Sequence, residues 1–560
     1  MSSWQIADVW ETVAEVLPDA DALVHGSRRS PWREFDRRAD ALATFLLARG
    51  LDHGGSVALY LYSSPEYLEA TFACFKLGIP PVNTNYRYGA DELVYLWGNA
   101  DSHAVVFHGC FVPQVAEIRG RVPGVATWLW VDDGSGPCPP WAAPYGDVIE
   151  SEAPRAIPPW GRSPDDLCLI YTGGTTGMPK GVMWRHDDLF AVINASAPVR
   201  YPEEGNLDDV RHLLVKPGPS FLVAAPLMHG TGFFGALGIL GAGGSVITPI
   251  ERKFSAAAML DTIDAKRARS TTIVGDAFGR PLVEALDAEP ERWDISSLRV
   301  ITSSGAAWSE SNKAALLRHN PSLLLVDTLG SSEAIGAAKS ITTSDGSGSG
   351  IDGIDRADRA DRAEASAVRF EIGADTRVID EAGVGVVPGS GQAGLLAQRG
   401  RGPIGYYKDP VKSSETFRTI DGQRWTITGD YAEVDADGTL RLLGRGSACI
   451  NTGGEKVYPE EVDEVLKAHP LVADAACVGV PDQRLGQRIV AVVELREPTR
   501  APGDDELIAG VKARLAGYKA PKQIVVVDSI GRAANGKLDY AVLRRWAIEA
   551  TEAVEVVGAD

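Results

Sequence analysis

Runs of apolar residues alternate between helical and strand spacing through the first hundred residues. From Phe35 they keep to one helical face until Gly50, a residue typical of a helix C-terminus. Val57–Tyr62 is a short apolar run suited to a buried strand, Glu66–Leu77 is helical again, and Ala104–His108 is the next strand candidate. This alternation predicts helices packed on largely parallel sheets, an α/β fold.

The length of the chain predicts more than one domain, since 560 residues are too many for a single hydrophobic core. A boundary lies near 444–447, after which the chain has the pattern of a compact α+β unit of about 110 residues. We predict a large N-terminal α/β domain over 1–444 and a small α+β domain over 445–560. Residues 344–365 pass from SDGSGSG into a charged triplet repeat, which predicts a flexible insertion.

Composition excludes several classes of protein. Hydrophobic residues make up 44% and charged residues 23%, as in ordinary soluble proteins, and the net charge of −20 argues against a general nucleic-acid surface. Six scattered cysteines without a CxxC pair indicate free thiols in a reducing compartment. The N-terminus lacks the basic region of a secretory signal. We therefore expect a cytoplasmic protein.

One apolar stretch, Phe221–Ile250, is long enough for a membrane span. It contains seven glycines, two prolines and His229, a composition that favours buried strand, loop and helix. We predict no transmembrane segment. The sequence leaves peripheral membrane contact and homo-oligomerisation open.

The segment Tyr171–Gly181 reads YTGGTTGMPKG and follows the strand-like run Leu167–Ile170. Glycines let a backbone approach a polyanion and turn its N–H groups inward, while hydroxyls and a lysine complete a phosphate cradle. It is not a Walker A loop, because Lys180 precedes Gly181 rather than Ser or Thr. Gly400–Gly405 fits GxGxxG, but no βαβ unit encloses it, so it supports no dinucleotide site.

This loop resembles that of the adenylate-forming superfamily, which includes acyl-CoA synthetases, peptide-synthetase adenylation domains and luciferases. Nearly the whole chain shares the resemblance, through further blocks in the same order: PLMHGTG at 226–232, SSGAA at 303–307, LGSSEA at 329–334, TGD at 428–430, GRGSACINTGGEKVYPEEVD at 444–463 and NGKLDY at 535–540. It implies ATP, Mg²⁺ and coenzyme A as partners of the site.

The resemblance implies roles residue by residue. Thr176 and Glu333 match the residues that place Mg²⁺ beside the phosphates, and both supply the hard oxygen ligands this ion prefers. Asp430 matches the carboxylate that binds the ribose hydroxyls, and Arg445 a second ribose or phosphate contact. The implied ATP and AMP positions are Thr172, Gly173, Gly174, Thr175, Thr176, Gly177, Lys180, Gly305, Ala306, Ala307, Asp327, Leu329, Gly330, Ser331, Ser332, Asp430, Arg445 and Lys537. Gly173 departs from a frequent Ser, and Leu329 from a frequent Tyr.

The implied small domain works twice. Lys537 matches the lysine that bridges the carboxylate and the α-phosphate, where a positioned cation offsets the repulsion of two anions. The domain then rotates about Ser447, the hinge position. Gly453, Gly454 and Lys456 would then lie on the CoA side.

The acyl pocket implied by the resemblance is apolar. It takes in His229, Phe233, Phe234, Asp276 and Phe278, with His229 as a gate or orienting residue. Such a lining suits a hydrophobic acyl chain or fused-ring tail. Amino-acid adenylation domains usually place an Asp where Phe234 stands, so an amino-acid substrate would leave its ammonium unpaired.

We therefore expect an ATP-dependent acyl-CoA synthetase for a long-chain fatty acid or a steroid side-chain acid, an acid–thiol ligase. GRGSACINTGGEKVYPEEV and WRHDDL resemble an actinobacterial subgroup, some of whose members activate steroid side-chain carboxylates. Two alternatives stay open at this point. One is an acyl-AMP ligase that loads a carrier protein, and the other is an inactive binding homologue.

Overall fold

The computed structural model describes residues 3–172, 178–306, 308–346, 369–445, 450–452, 455–482, 485–497, 501–515, 517–533, 536 and 538–557. The insertion predicted at 344–365 therefore lies outside the described residues from 347 onward.

Helices and strands alternate along most of the described chain. The helices are α1 Ile6–Val16, α2 Trp32–Ala48, α3 Pro65–Leu77, α4 Ala90–Asn99, α5 Val112–Ile118, α6 Tyr145–Glu150, α7 His186–Asn194, α8 Leu207–Leu213, α9 Gly230–Gly241, α10 Ala256–Lys266, α11 Asp276–Ala288, α12 Glu310–His319, α13 Pro410–Thr416, α14 Pro459–Lys467, α15 Asp504–Arg514 and α16 Tyr540–Val557. The strands are β1 Asp21–His25, β2 Arg28–Pro31, β3 Ser56–Tyr60, β4 Pro81–Asn83, β5 Ser102–His108, β6 Thr127–Val131, β7 Ala143–Pro144, β8 Leu167–Thr172, β9 Lys180–Arg185, β10 Ser220–Leu222, β11 Ser245–Thr248, β12 Ser270–Ile273, β13 Val300–Ser303, β14 Leu324–Leu329, β15 Ala338–Thr342, β16 Arg369–Ile372, β17 Thr376–Ile379, β18 Gly394–Arg399, β19 Gly405–Tyr406, β20 Phe417–Ile420, β21 Gln423–Val434, β22 Leu440–Arg445, β23 Ile450–Thr452, β24 Glu455–Val457, β25 Val472–Asp482, β26 Gly486–Leu495 and β27 Gln523–Val527.

The chain divides into two compact units. The first comprises Met1–Gly336, Ile341–Gly346 and Gly400–Phe417, and the second comprises Ala337–Ser340, Ser347–Arg399 and Arg418–Asp560. The sequence-based domain boundary at 444/445 stays a prediction.

One sheet of the first unit has the strand order β19-β9-β8-β4-β3-β5-β6-β7. It is parallel from β8 to β7, and β9 and β19 join it antiparallel at the β8 side. Alternate side chains enter different hydrophobic clusters, Val57 and Leu59 one and Ala58 and Tyr60 another. Helices therefore cover both faces, which is why these strands are apolar throughout.

A second run of strands in the first unit has the order β14-β13-β12-β10-β11-β1-β2. All pairs are parallel except that of β1 with β2. The apolar stretch Phe221–Ile250 forms β10, α9 and β11 here, which confirms the expectation of buried strand, loop and helix. Among the helices of the described chain, none has both the length and the apolar composition to cross a bilayer.

The second unit contains antiparallel strands in the order β17-β18-β21-β22-β16-β15. Its C-terminal part is a separate sheet, β24-β23-β26-β25, with β27 parallel to β26. Helices α14 and α16 pack against β25. These strands and helices form a small α+β C-terminal domain, as the fold class predicts, and the residue at which it begins stays a prediction.

The local predictions for the first hundred residues are confirmed. The helix expected from Phe35 is α2, the helix expected over Glu66–Leu77 is α3, and the two strand candidates are β3 and β5. Gly78 ends α3 with a φ of 63°, in the left-handed region that glycine adopts at low cost. The five cysteines within the described chain are free thiols, as expected.

A buried histidine begins α7, directly after β9. The ring of His186 is 4.6 Å from that of Phe75, measured between centroids, and within the described chain neither ring nitrogen has a hydrogen-bond partner. Burial lowers the pKa of His186 to about 3, and the charge of Arg162 adds to the effect. The ring is therefore held neutral inside the core.

This histidine should make the protein less stable in mild acid. Below the ordinary histidine pKa of about 6.5, His186 is protonated in the unfolded chain but stays neutral in the folded chain. The free energy of unfolding therefore falls by about 1.4 kcal/mol per pH unit as the pH decreases. His186→Phe keeps the ring contact and removes this titration. We expect the melting temperature of the variant to exceed that of the parent by an amount that grows from pH 7 to pH 5. The exposed His212→Gln is the control, and a gap independent of pH would contradict the assignment.

Candidate active site

The phosphate loop predicted from the sequence connects two antiparallel strands. In the β8–β9 pair Thr172 faces Lys180 and Tyr171 faces Gly181. A Cβ on Gly181 would lie 2.8 Å from the Tyr171 ring, so this position requires glycine. The hairpin fixes both ends of the loop. The loop positions Gly173, Gly174, Thr175, Thr176 and Gly177 themselves lie outside the described residues.

Lys180 is the first residue of β9, and its ammonium group contacts the segment that contains β19. Its Nζ is 2.9 Å from Asp409 Oδ2 and 5.8 Å from the centre of the Tyr406 ring. The Lys180 side chain is 37% exposed and that of Asp409 33%, so the pair is accessible to water and to a ligand. Sequence reasoning missed Asp409.

Glu333, the predicted metal ligand, is held by a phenol. Tyr406 donates its hydroxyl hydrogen bond to Glu333 Oε1 at 2.8 Å. The backbone N–H of Glu333 donates to Ser331 Oγ at 3.2 Å, and the Trp184 indole donates to the carbonyl of Ser332 at 2.8 Å. The LGSSEA turn is therefore attached to β9 and to the segment that contains β19.

The turn itself needs its glycine. A Cβ on Gly330 would lie 2.8 Å from the carbonyl oxygen of Ala334, so only glycine permits this close approach. Leu329 is the last residue of β14, which places the turn at the carboxyl end of a parallel strand. Ligands bind at this edge in open α/β sheets.

The predicted adenine wall lies beside the same edge. Ser303 at the end of β13 faces Asp327 of β14, and Gly305 follows with a φ of 92°. Ala306 packs against the hydrophobic cluster that contains Phe278, and Ala307 lies outside the described residues.

Asp327 is buried next to a lysine. Burial raises its pKa to about 6, although Lys313 opposes the shift with its Nζ 3.4 Å from Asp327 Oδ2. The carboxylate is therefore engaged by α12 in the first unit. Its predicted contact with the nucleotide stays a prediction.

Two of the predicted acyl-pocket residues line a small, mainly apolar cavity. His229 is the residue directly before α9, and Phe233 lies one turn later, beside Leu59, Tyr67 and Leu227. Phe234 follows half-buried, and a Cβ on Gly230 would lie 2.9 Å from its ring. A larger residue at Gly230, in the PLMHGTG block, would therefore require the Phe234 ring to move.

The other two predicted pocket residues lie elsewhere in the first unit. Phe278 is buried against Phe254, with ring centroids 4.1 Å apart, in a different hydrophobic cluster from Phe233. Asp276 Oδ1 accepts hydrogen bonds from the backbone and hydroxyl of Ser309. This carboxylate therefore serves the start of α12, a use that its position in the sequence did not suggest.

Asn83 is a buried polar residue that sequence reasoning missed. Its Nδ2 donates to the carbonyls of Tyr171 at 2.9 Å and Met228 at 2.7 Å, and its Oδ1 accepts from the Tyr171 N–H. One side chain thus ties the strand that enters the phosphate loop to the residue before His229. The available signal was an Asn at the end of an apolar run, because buried Asn is uncommon unless its hydrogen bonds are met.

The second unit holds the predicted ribose residues. Asp430 of β21 and Arg445 of β22 are directly paired in the antiparallel ladder, and Asp430 is buried. Lys456 lies in β24, opposite Asn451. The hinge residue Ser447, the CoA-side glycines Gly453 and Gly454, and Lys537 lie outside the described residues.

The described residues contain no group of three or more His, Cys, Asp or Glu side chains that could hold a metal ion. Glu333 alone still fits Mg²⁺, because its carboxylate is half-buried and oriented by Tyr406. Mg²⁺ usually takes one or two protein oxygens and completes its shell with phosphates and water.

The fold is that of an adenylate-forming enzyme. Residues 10–407 match the family model described as AMP-binding enzyme, and residues 461–537 match the AMP-binding enzyme C-terminal domain. The chain therefore belongs to the AMP-binding enzyme family.

Relatives cover the chain almost completely. It is 38% identical over 555 residues to a medium/long-chain-fatty-acid–CoA/3-oxocholest-4-en-26-oate–CoA ligase of Mycolicibacterium smegmatis, across 98% of this chain and 96% of that protein. Identity is 37% over 561 residues to a 3-oxocholest-4-en-26-oate–CoA ligase of Rhodococcus rhodochrous, with the same coverages. The crystal structure of the anthranilate CoA ligase AuaEII with anthranoyl-AMP shares the fold, with a TM-score of 0.80 and 22% identity over 98% of this chain and 99% of that one.

The hydrogen bonds that Asn83 makes with the backbone of Tyr171 and Met228 can be tested by mutation. Asn83→Leu keeps the volume but leaves three backbone groups without partners, each costing about 1–3 kcal/mol. We expect a less stable protein whose KM for ATP also rises about tenfold or more, because the entry to the phosphate loop shifts. Pyrophosphate release measures the KM and thermal unfolding the stability.

The matched control is Asn194→Leu. Asn194 is also buried and makes a similar pair of bonds with the backbone of Tyr201. It should lower stability and leave the KM for ATP unchanged. Equal KM values for the two variants would show that Asn83 has no special relation to the nucleotide.

Proposed function

We propose that this protein is an ATP-dependent acyl-CoA synthetase that converts a hydrophobic carboxylic acid to an acyl-adenylate and then to a CoA thioester. The observation that carries the proposal is the β8–β9 hairpin with Lys180 at its end, beside a Glu333 whose carboxylate is oriented by Tyr406. Membership of the AMP-binding enzyme family supports the reaction class.

In the first half-reaction the loop 171–181 would bind the ATP phosphates, with Lys180 as a cation. Glu333 and Thr176 would hold Mg²⁺, which, when bound, offsets phosphate charge. Lys537 places the substrate carboxylate against the α-phosphate. A carboxylate oxygen attacks the α-phosphorus, the bond to the β-phosphate breaks, and pyrophosphate leaves with that electron pair.

In the second half-reaction the C-terminal domain, 445–560, turns about Ser447. Gly453, Gly454 and Lys456 then face the passage for CoA. The CoA thiolate attacks the acyl-adenylate carbonyl, the bond to the AMP oxygen breaks, and AMP leaves as its phosphate anion. Asp430 and Arg445 keep the ribose in place through both steps.

The substrate class we propose is a long-chain fatty acid or a steroid side-chain acid. Phe233, Leu59 and Leu227 line the cavity beside His229, and such a surface favours an apolar tail. The names of the Mycolicibacterium and Rhodococcus relatives, which are fatty-acid or 3-oxocholest-4-en-26-oate ligases, point in the same direction.

The direct test is mass spectrometry of the products formed from ATP, Mg²⁺, CoA and a panel of acids. The panel runs from short and long fatty acids to steroid side-chain carboxylates. An acyl-CoA from either hydrophobic class establishes the function, and preference within the panel names the substrate. Acyl-AMP without a thioester would indicate transfer to a carrier protein instead, and no pyrophosphate from any acid would indicate an inactive binding protein.

Lys537→Ala separates the two half-reactions. Adenylation should fall by about a hundredfold or more, the scale of losing one preorganised electrostatic contact. Thioester formation from supplied acyl-adenylate should stay nearly intact, because Lys537 serves only the first conformation. Single-turnover assays of each half-reaction measure this, with the exposed Lys512→Ala as control. Equal loss in both halves would refute domain alternation.

Phe233→Ala tests the acyl pocket. The ratio of kcat/KM for long and short acids should change. The corresponding difference in activation free energy is about 1–3 kcal/mol, the value of an altered hydrophobic contact in a binding site. Phe190→Ala is the control, because Phe190 is buried in the same hydrophobic cluster but packs on Trp4 and Tyr201. A parallel Phe278→Ala variant tests whether that residue belongs to the pocket as well. An unchanged profile removes Phe233 from the pocket.

A further inference from the structure

We propose that Tyr406 and Asp409, in the short segment Gly405–Asp409 (GYYKD), are positioning residues of the ATP site: Tyr406 orients Glu333, and Asp409 holds Lys180 until the ATP phosphates replace it. The inference rests on the proposed function and deepens it, since it concerns residues that control how the same site receives ATP.

The backbone places this segment firmly. β19 pairs with β9, where Gly405 faces Met183 and Tyr406 faces Val182. The pairing is extended on both sides by hydrogen bonds of 2.8 Å, from Ile404 N–H to the Met183 carbonyl and from Tyr407 N–H to the Gly181 carbonyl. A ladder of this kind sets the register to the residue.

Ion pairs lie on both sides of Tyr406 in the chain. Arg401 Nη1 lies 2.7 Å from Asp187 Oδ2, and Lys408 Nζ lies 2.6 Å from Asp101 Oδ2. Each is partly exposed and weak alone, but both join the segment to the first unit on either side of Tyr406. Tyr406 therefore has little freedom to move independently of β9.

Tyr406 is buried, and its hydroxyl reaches the carboxylate of Glu333 at 2.8 Å. A phenol that donates to a carboxylate makes a charge-assisted hydrogen bond, which is stronger and more directional than a neutral one. Such a bond holds the Glu333 carboxylate in one orientation. Mg²⁺ binding would then cost less side-chain conformational entropy. Groups that orient a ligand in this way contribute to metal affinity without touching the metal.

Asp409 uses its two oxygens differently. Oδ1 accepts from the backbone N–H of Lys412 and so caps α13, while Oδ2 lies 2.9 Å from Lys180 Nζ. The Lys412 N–H, and then Lys180, lower the pKa of Asp409, so it is ionised at neutral pH. The cap holds the carboxylate in place. When a triphosphate arrives, the flexible lysine can leave, but the carboxylate cannot follow it.

The test begins with equilibrium binding of a nonhydrolysable ATP analogue, with Mg²⁺, to Asp409→Asn. Asparagine caps a helix as well as aspartate does, so α13 is preserved while the competing charge is removed. We expect the Kd to fall about threefold, the scale of a solvent-accessible ion pair. The control is Asp165→Asn, which removes a charge at the other end of β9, where Asp165 pairs with Arg185. Its Kd should not change.

A double variant shows whether the effect passes through Lys180. Lys180→Gln should weaken analogue binding about tenfold, and adding Asp409→Asn to it should then bring no gain. If Lys180→Gln weakens binding but Asp409→Asn changes nothing, the placeholder role is refuted and the proposed function stands. If Lys180→Gln itself leaves binding unchanged, the phosphate site of the proposed function fails.

Tyr406→Phe tests the other half of the proposal. We expect the Mg²⁺ concentration that gives half-maximal analogue binding to rise about threefold to tenfold, while binding at saturating Mg²⁺ stays near that of the parent. Tyr407→Phe is the control, because its hydroxyl reaches Asp101 instead. A rise of the same size in both variants, or a loss that saturating Mg²⁺ does not restore, would overturn the orienting role.

Discussion

The antiparallel pairing of β9 with two neighbours is the constraint on which the site depends. β8 on one side fixes the ends of the phosphate loop, and β19 on the other carries Tyr406 to Glu333. Trp184, within β9, holds the turn after β14 through the Ser332 carbonyl. One strand of six residues therefore sets the relative positions of three segments that are far apart in the chain. A change of register by one residue would turn every one of these side chains to the opposite face.

A second constraint, within the first unit, joins residues of the proposed nucleotide site to residues of the proposed acyl pocket. Asn83 ends β4, yet its amide bonds with the strand before the phosphate loop and with the carbonyl before His229. Both contacts are buried, so losing either leaves a backbone group without a partner. The small cavity beside His229 and Phe233 is lined by this same asparagine. The two halves of the proposed site thus share one polar anchor in an otherwise apolar region.

Features that depend on local sequence patterns could be predicted from the sequence. Contacts between residues far apart in the chain could not. The type and approximate position of α2, α3, β3 and β5 followed from apolar periodicity and helix-ending glycines, to within about three residues at their ends. The glycine-rich loop and Glu333 followed from short blocks of the chain. By contrast, Asn83 and Tyr171 are 88 residues apart, and Lys180 and Asp409 are 229 apart. Near Tyr406, the only local pattern is the GxGxxG match at Gly400–Gly405, which does not mark a dinucleotide site. No local pattern indicates that the segment pairs with β9.

The exposure of the Lys180–Asp409 pair is compatible with the proposed role, in which this contact breaks at every turnover. A pair that water reaches contributes about 1 kcal/mol or less, so the greater charge of a triphosphate can displace the carboxylate without a large barrier. A fully buried pair would hold the lysine too strongly, since leaving one buried charge without its partner costs about 3–5 kcal/mol. Because α13 keeps Asp409 in place, the carboxylate is ready to receive the lysine again when pyrophosphate leaves. In the proposed role, Lys180 therefore has a defined partner both with and without nucleotide.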